Sequence, residues 1–322
     1  DDRALLDAAE DIARVEPRLT QFDAQIAAAL LLFREHHAAL TLIETGMGGR
    51  DDSTNVIDAP AACVITPIGL DHQDALGATL TDIAAHKAGI LKRGAPAIIA
   101  RQEPEAMNVI EARAEAIGAP LFRCGVEWDA YASQGRLVVQ TQERALDLPL
   151  PALQGRHQID NAGLACAALL FSNAIEVDDD AFARGMVSAA WPARLQPLTR
   201  GQLSAPVRAR GGEVWVDSGH NAHAGIALSY AMNDMKTRRG GTNVAIVGLR
   251  KRKDATLFVA ALARFAQHII AVPLAEDHVS VHEIAKVGYD LGVDVDTAPS
   301  LAAAMQNAAQ LPTPRVLICG SF

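Results

Sequence analysis

Three residues stand out for the chemistry their side chains could do: Glu44, His72 and Lys87. Glu44 ends the apolar run "TLIE" just before the glycine-rich "TGMGGR", and His72 sits in "GLDH" after "CVITPI". Together they offer a carboxylate oxygen and an imidazole nitrogen to a divalent ion. So sparse and hard a donor set suits Mg²⁺ completed by water and phosphate, whereas zinc would want more nitrogen or sulfur. For His72 the simpler alternative is a hydrogen-bonded core histidine. Lys87 lies in "DIAAHKAGILK", among Ala84, Ala85, Ala88, Ile90 and Leu91, in a stretch patterned to pack. A buried ammonium is costly unless it is paired or discharged; a packed stem with its head in solvent is the alternative. Fifteen residues separate His72 from Lys87, enough for a loop and two helical turns.

The elements that must position these residues read as α/β. "AALTLIE", "AACVITPIG" and "APAIIA" are short, Val/Ile/Leu-rich runs expected as strands covered on both faces. "FDAQIAAALLLFREHH" is expected as a helix with Phe22, Ile26, Ala29, Leu30 and Phe33 on one face. "TLTDIAAHKAGILK" is a helix opened by Thr79 and Asp82, a capping-box spacing. "GRLVVQTQ" and "RALDLPLP" alternate like an antiparallel pair, and "HQIDNAGLACAALLF" is helical. Beyond "AAWPARLQPLTRG" the alternation restarts, predicting four strands ("EVWVD", "NVAIVG", "HIIAVPL", "RVLICGS") with helices between. That is a Rossmann-like unit, and it divides the chain into domains at residues 1–191 and 192–322. Glu44, Asp71, His72, Asp217, the "RKRKD" loop and Ser321 all fall after strands, where open parallel sheets bind ligands.

Bulk properties exclude several partners. The chain has 322 residues, half of them hydrophobic, enough for two cores. A net charge of −9 with no long basic block argues against nucleic acid. Cys63, Cys124, Cys166 and Cys319 are widely spaced in apolar contexts and read as buried thiols. No apolar run reaches membrane-spanning length and no signal pattern opens the chain, so the expected location is cytoplasmic.

The set "ETGMGGRDDSTNVI", "TPIGLDH", "TLTDIAAHKAGILK", "GRHQIDNA", "WPARLQ", "VDSGHNAHA", "VGLRKRKD" and "CGSF", in this order, resembles the folylpolyglutamate synthase and dihydrofolate synthase family of the Mur ligase superfamily. The likeness runs from about residue 18 to the end of the chain. It implies a Mur-ligase-like α/β fold: a central ATPase domain with a mostly parallel sheet and a smaller Rossmann-like C-terminal domain. It also implies an ATP-dependent ligase that joins L-glutamate to dihydropteroate or folate through an acyl phosphate, with Mg²⁺ as cofactor and a monomer as the expected state.

By the same resemblance Glu44 and His72 match Mg²⁺ ligands, and Lys87 matches a lysine carbamylated by CO₂, which turns a problem cation into an anionic oxygen ligand. Lysine suits this because burial lowers its pKa readily, whereas arginine stays charged. Arg194, Asp217, His220 and Asn221 match residues that bring the second domain onto the nucleotide, Arg194 near phosphate and Asp217 near ribose. Asn55, His157, Gln158 and Asn161 match the nucleotide side of the first domain. Lys87, His72 and Arg194 are thus the expected catalytic residues.

One departure is large. The family's first βα turn carries a phosphate-cradling GxxxxGK[ST] loop, and no such motif occurs in these residues. The resemblance therefore implies that residues 1–322 are part of a longer polypeptide. The alternatives are a non-catalytic nucleotide-binding relative lacking that loop, or another Mur-type ligase acting on a cell-wall precursor.

Overall fold

The structure, a computed structural model, describes residues 2–321. Two helices come first, α1 (Asp2–Val15) and α2 (Gln21–Glu35). Thr20 caps α2 in a full capping box with Asp23. The buried face of α2 is not the one expected: Ala24 and Ala28, one turn apart, are buried, while Phe22 and Phe33 are exposed. Small residues let the helix approach its neighbour closely, and the Phe22 ring instead covers Gly46, where a Cβ would collide with it.

The run at residues 38–44, expected as a strand, is irregular. A strand needs a ladder partner. Here the sheet ends at β1 (Cys63–Ile65), whose only pairing among the described residues is with β2 (Ala97–Ile99). Leu42 is left 83% exposed. After β1 come α3 (Gln73–Leu76) and α4 (Leu80–Ala88), and after β2 come α5 (Pro104–Ile117) and β3 (Leu121–Arg123). β1, β2 and β3 form a parallel sheet. α4 and α5, with the turn after α4, seal one face of it with Ile83, Ile110 and Leu91, all nearly inaccessible. The expected antiparallel pair is present and gains a strand: β4 (Trp128–Ser133), β5 (Arg136–Thr141) and β6 (Ala145–Pro149) make a meander. It packs on α6 (Arg156–Ser172) and α7 (Asp179–Ser188) through Leu137, Leu148, Leu164 and Phe182.

The second half contains β7 (Gln196–Pro197), α8 (Ala205–Ala209), β8 (Glu213–Asp217), α9 (Ala222–Arg239), β9 (Thr242–Gly248), α10 (Ala255–Ala263), β10 (His268–Ala271), α11 (Val281–Asp290), β11 (Asp294–Thr297), α12 (Leu301–Ala308) and β12 (Pro314–Gly320). These strands form one sheet in the order β11-β10-β9-β12-β8-β7, parallel except for β7. The sequence predicts four strands; β7 and β11 are the additions. β11 is an edge strand whose Asp294, Asp296 and Thr297 face solvent, so it has no apolar run to betray it and is held by backbone pairing to β10. Separate apolar clusters cover the two faces of this sheet. All four cysteines are free thiols, three of them buried and Cys124 half-buried. No helix among the described residues is long and apolar enough to cross a membrane.

Candidate active site

The glycine loop is laid onto the last turn of α4. Gly48 has φ 72°, a left-handed conformation that glycine adopts freely. Arg50 N–H donates to the His86 carbonyl (2.8 Å), and the Asn55 amide donates to the carbonyls of Arg50 (3.0 Å) and Gly89 (3.2 Å). Asp52 braces the loop from within, accepting the N–H groups of Met47 (2.8 Å) and Thr54 (3.0 Å). Asn55, expected to face nucleotide, thus has its donors committed to backbone.

Beneath the loop is a cavity of about 200 Å³, lined by Gly46, Gly48, Gly69, Asp71, His72 and Lys87 among others. His72 holds a left-handed conformation (φ 52°) at the start of α3, uncommon for a residue with a Cβ. Lys87, in the last turn of α4, is half-buried; burial pushes its ammonium pKa down, and the opposing charge of Asp71 only partly offsets this. His72 and Lys87 therefore share one cavity. Glu44 is exposed, one residue before Thr45 of the lining, and is not among the lining residues itself. Among the described residues no three His, Cys, Asp or Glu side chains form a ready-made metal cluster. Lys87 lines the same cavity with its ammonium pKa lowered by burial, which favours its neutral amine.

The expected residues farther along the chain lie around the ends of β8 and α6. Asp217, buried at the end of β8, accepts the N–H groups of Leu195 and Gly219 (both 2.7 Å) and so fixes the "WPARL" turn onto the sheet. Burial raises its pKa despite those two bonds. Arg194 donates to the Ser218 hydroxyl and is flanked by Ala193 and Leu195, both at positive φ. His157, at the start of α6, has its pKa lowered mainly by burial; the charges of Asp217, Arg194 and His223 also reach it. Its Nδ1 is buried without a hydrogen-bond partner among the described residues, and its Nε2 lies 3.1 Å from the Gln158 amide. Asn161 donates to Gln158 (3.2 Å). His157 thus lies within electrostatic reach of Asp217 and Arg194, with Gln158 and Asn161 hydrogen-bonded beside it.

The Mur ligase middle domain family matches residues 10–169. A dihydrofolate synthase/folylpolyglutamate synthase of Escherichia coli strain K12 is 33% identical over 312 residues, covering 96% of this chain and 69% of the relative. The chain belongs to the dihydrofolate synthase/folylpolyglutamate synthase family. A Bacillus subtilis relative of the same name is 35% identical over 71% of this chain, which spans only 52% of that relative's length. Among solved structures, E. coli FolC in complex with ADP, without folate substrate, superposes with a TM-score of 0.85 at 30% identity, covering all of this chain and 74% of that one. A bifunctional folylpolyglutamate synthase/dihydrofolate synthase with Mn, AMPPNP and L-glutamate bound gives 0.79 at 29% identity, covering 94% and 69%.

Asp71, placed by the sequence only at a strand end, has in this family member a role that sequence reasoning did not assign. Its carboxylate lines the cavity and also accepts from Lys253 Nζ (2.9 Å) and Asn221 Nδ2 (2.8 Å), both from the second half of the chain. His220 Nε2 is 3.7 Å away. Burial acts to raise the Asp71 pKa, but these donors outweigh it and hold the carboxyl far below the usual range. The available signal was a second ionisable group beside His72 in "GLDH".

Proposed function

We propose that this chain carries ATP-dependent amide ligation, joining L-glutamate to the carboxylate of dihydropteroate or of a folate. The observation behind this reading is the shared cavity of His72 and Lys87 under the glycine loop, with His220 Nε2 3.7 Å from the Asp71 carboxylate that lines the same cavity. The names of the family's members and the Mn, AMPPNP and L-glutamate of a solved relative support it.

In the proposed reaction an oxygen of the acceptor carboxylate attacks the γ-phosphorus of ATP, and the bond to ADP breaks. The glutamate amine, in its neutral form, then attacks the acyl carbon and phosphate leaves. Little covalent work falls to the protein, so positioning and charge neutralisation dominate. Arg194 would grip phosphate oxygens with its fork. Glu44, His72 and a carbamylated Lys87 would hold Mg²⁺, a hard cation matched to two oxygen donors and one nitrogen, which neutralises phosphate charge when bound. His157, Gln158, Asn161, Asp217 and His220 would surround the nucleotide, while Asn55 holds the glycine loop on α4. Residues 1–191 and 192–322 act as the two domains, in a cytoplasmic monomer.

The test is ADP release by the full-length polypeptide. It should require glutamate together with dihydropteroate or a folate. Nucleotide binding with no ADP formed on any of these acceptors would leave a non-catalytic relative.

A further inference from the structure

The loop at residues 69–72 does more than line a cavity. At Gly69 a Cβ would lie 2.8 Å from the Cβ and Cγ of His223, so this loop runs flush against the first turn of α9 and only glycine fits. Asn221 is the N-cap of α9: its side-chain oxygen accepts from Ala224 N–H (2.8 Å), which fixes the amide and turns its NH₂ toward Asp71. Among the usual N-cap residues, asparagine can cap through its oxygen and still present two amide donors. On the other side of the carboxylate, Lys253 comes from the loop after β9 and is only 18% exposed. Asp71 also accepts the N–H of His72 (2.9 Å), so the same group that reaches across the cleft orients the next residue of the cavity. The other cross-domain ion pair, Arg156 with Asp234, has a 70% exposed arginine, and pairs of that kind contribute little. Polar interfaces of this sort leave domains free to move unless a specific contact registers them.

We propose that Asp71 is a positioning residue that registers the His72 loop of the first domain on Asn221 and Lys253 of the second, so that the two halves of the cleft share one arrangement. Its consequence for the reaction rests on the ligase reading above; the docking itself does not.

Distances between labels read the docking directly. Cysteines placed at the exposed positions Glu105 and Glu283, in a Cys124→Ser background, carry spin labels on opposite domains. The unsubstituted cleft gives one narrow distance distribution. Asp71→Asn, Lys253→Met and Asn221→Asp should each broaden it. Asn221→Asp retains the cap on α9 and replaces only the donor facing Asp71, so its effect is separable from loss of folding. The Asp71→Asn/Lys253→Met double variant should be no broader than Asp71→Asn alone, because Asp71→Asn already removes the carboxylate that Lys253 meets. Unchanged distributions in all three variants, or an additive double, would overturn the proposal. In the full-length protein, affinity for a non-hydrolysable ATP analogue should fall about tenfold in Asp71→Asn and Lys253→Met, following the docked fraction. Broadened distances in a protein that binds no nucleotide would sink the ligase reading and leave the registration intact.

Discussion

Lys87 is the residue on which the proposed chemistry turns. Carbamates form from the neutral amine, and burial makes the neutral form easier to reach than in a solvated lysine. With ¹³C-bicarbonate, a carbamate resonance is expected in the unsubstituted protein and absent from Lys87→Ala; its persistence in that variant would assign it elsewhere. Lys87→Ala should also abolish turnover, with added bicarbonate giving no recovery, since alanine leaves no amine to modify. The pH dependence has a definite sign. Unfolded, the lysine keeps its proton up to about 10.5; folded, it gives it up earlier, so in CO₂-free buffer stability rises with pH between the lowered value and 10.5. Lys87→Met should therefore be more stable than the parent at neutral pH, and urea titrations should see the gap close toward pH 10.5. Lys87 was a candidate in the sequence because it is a cation in an apolar stretch, and His72 because it follows a strand run. Asp71 was legible only as a neighbour at that strand end, because what gives it meaning, Asn221 and Lys253, lies 150 and 182 positions away.

Elements were legible where local chemistry dictates them and illegible where pairing does. The capping box at Thr79 and Asp82, readable as a spacing, starts the helix that carries Lys87, with both reciprocal bonds formed. Thr79→Ala should cost ~1 kcal/mol in chemical denaturation. By contrast, residues 38–44 have the composition of a strand and lack a ladder, and β11 has a ladder without the composition. The amino ends of β8, β9 and β12 are tied by Arg315, which is 3% exposed and donates to Glu213 (3.3 Å) and Asn243 (3.2 Å). Burial raises the Glu213 pKa, but the charge of Arg315 and hydrogen bonds from Trp215, Arg239 and Arg315 outweigh it, so the net shift is downward. Glu213→Gln should cost ~2 kcal/mol at neutral pH by leaving the guanidinium without its counter-charge. Because a lowered carboxylate contributes stability above its unfolded pKa of about 4.5 and loses it as pH falls through the folded value, that cost should shrink in acid. A difference independent of pH would mean that Glu213 acts by packing alone.

At the scale of the whole molecule, the alternation of strand and helix gave away the two-part architecture, while the way the parts meet is written only in long-range polar contacts. The two halves bury separate apolar clusters, and no such cluster joins them; between them run hydrogen bonds, ion pairs and the close approach of Gly69 to His223. Cutting them apart should therefore expose little apolar surface on the second half, whose six-stranded sheet is covered on both faces and whose first strand, β7, already pairs with β8. Residues 192–322 expressed alone should give a single cooperative thermal transition at about 45–65 °C, the usual range for small domains. Residues 1–191 should behave differently. β1 presents an unpaired edge with Val64 37% exposed beside the irregular, solvent-facing Leu42, and such edges template association. Sedimentation should find this half self-associating, and Val64→Lys should reduce the association by placing a charge on the edge. If residues 192–322 melted without cooperativity, the clusters in the two halves would be one folding unit, and a boundary at residue 192 would have to be abandoned.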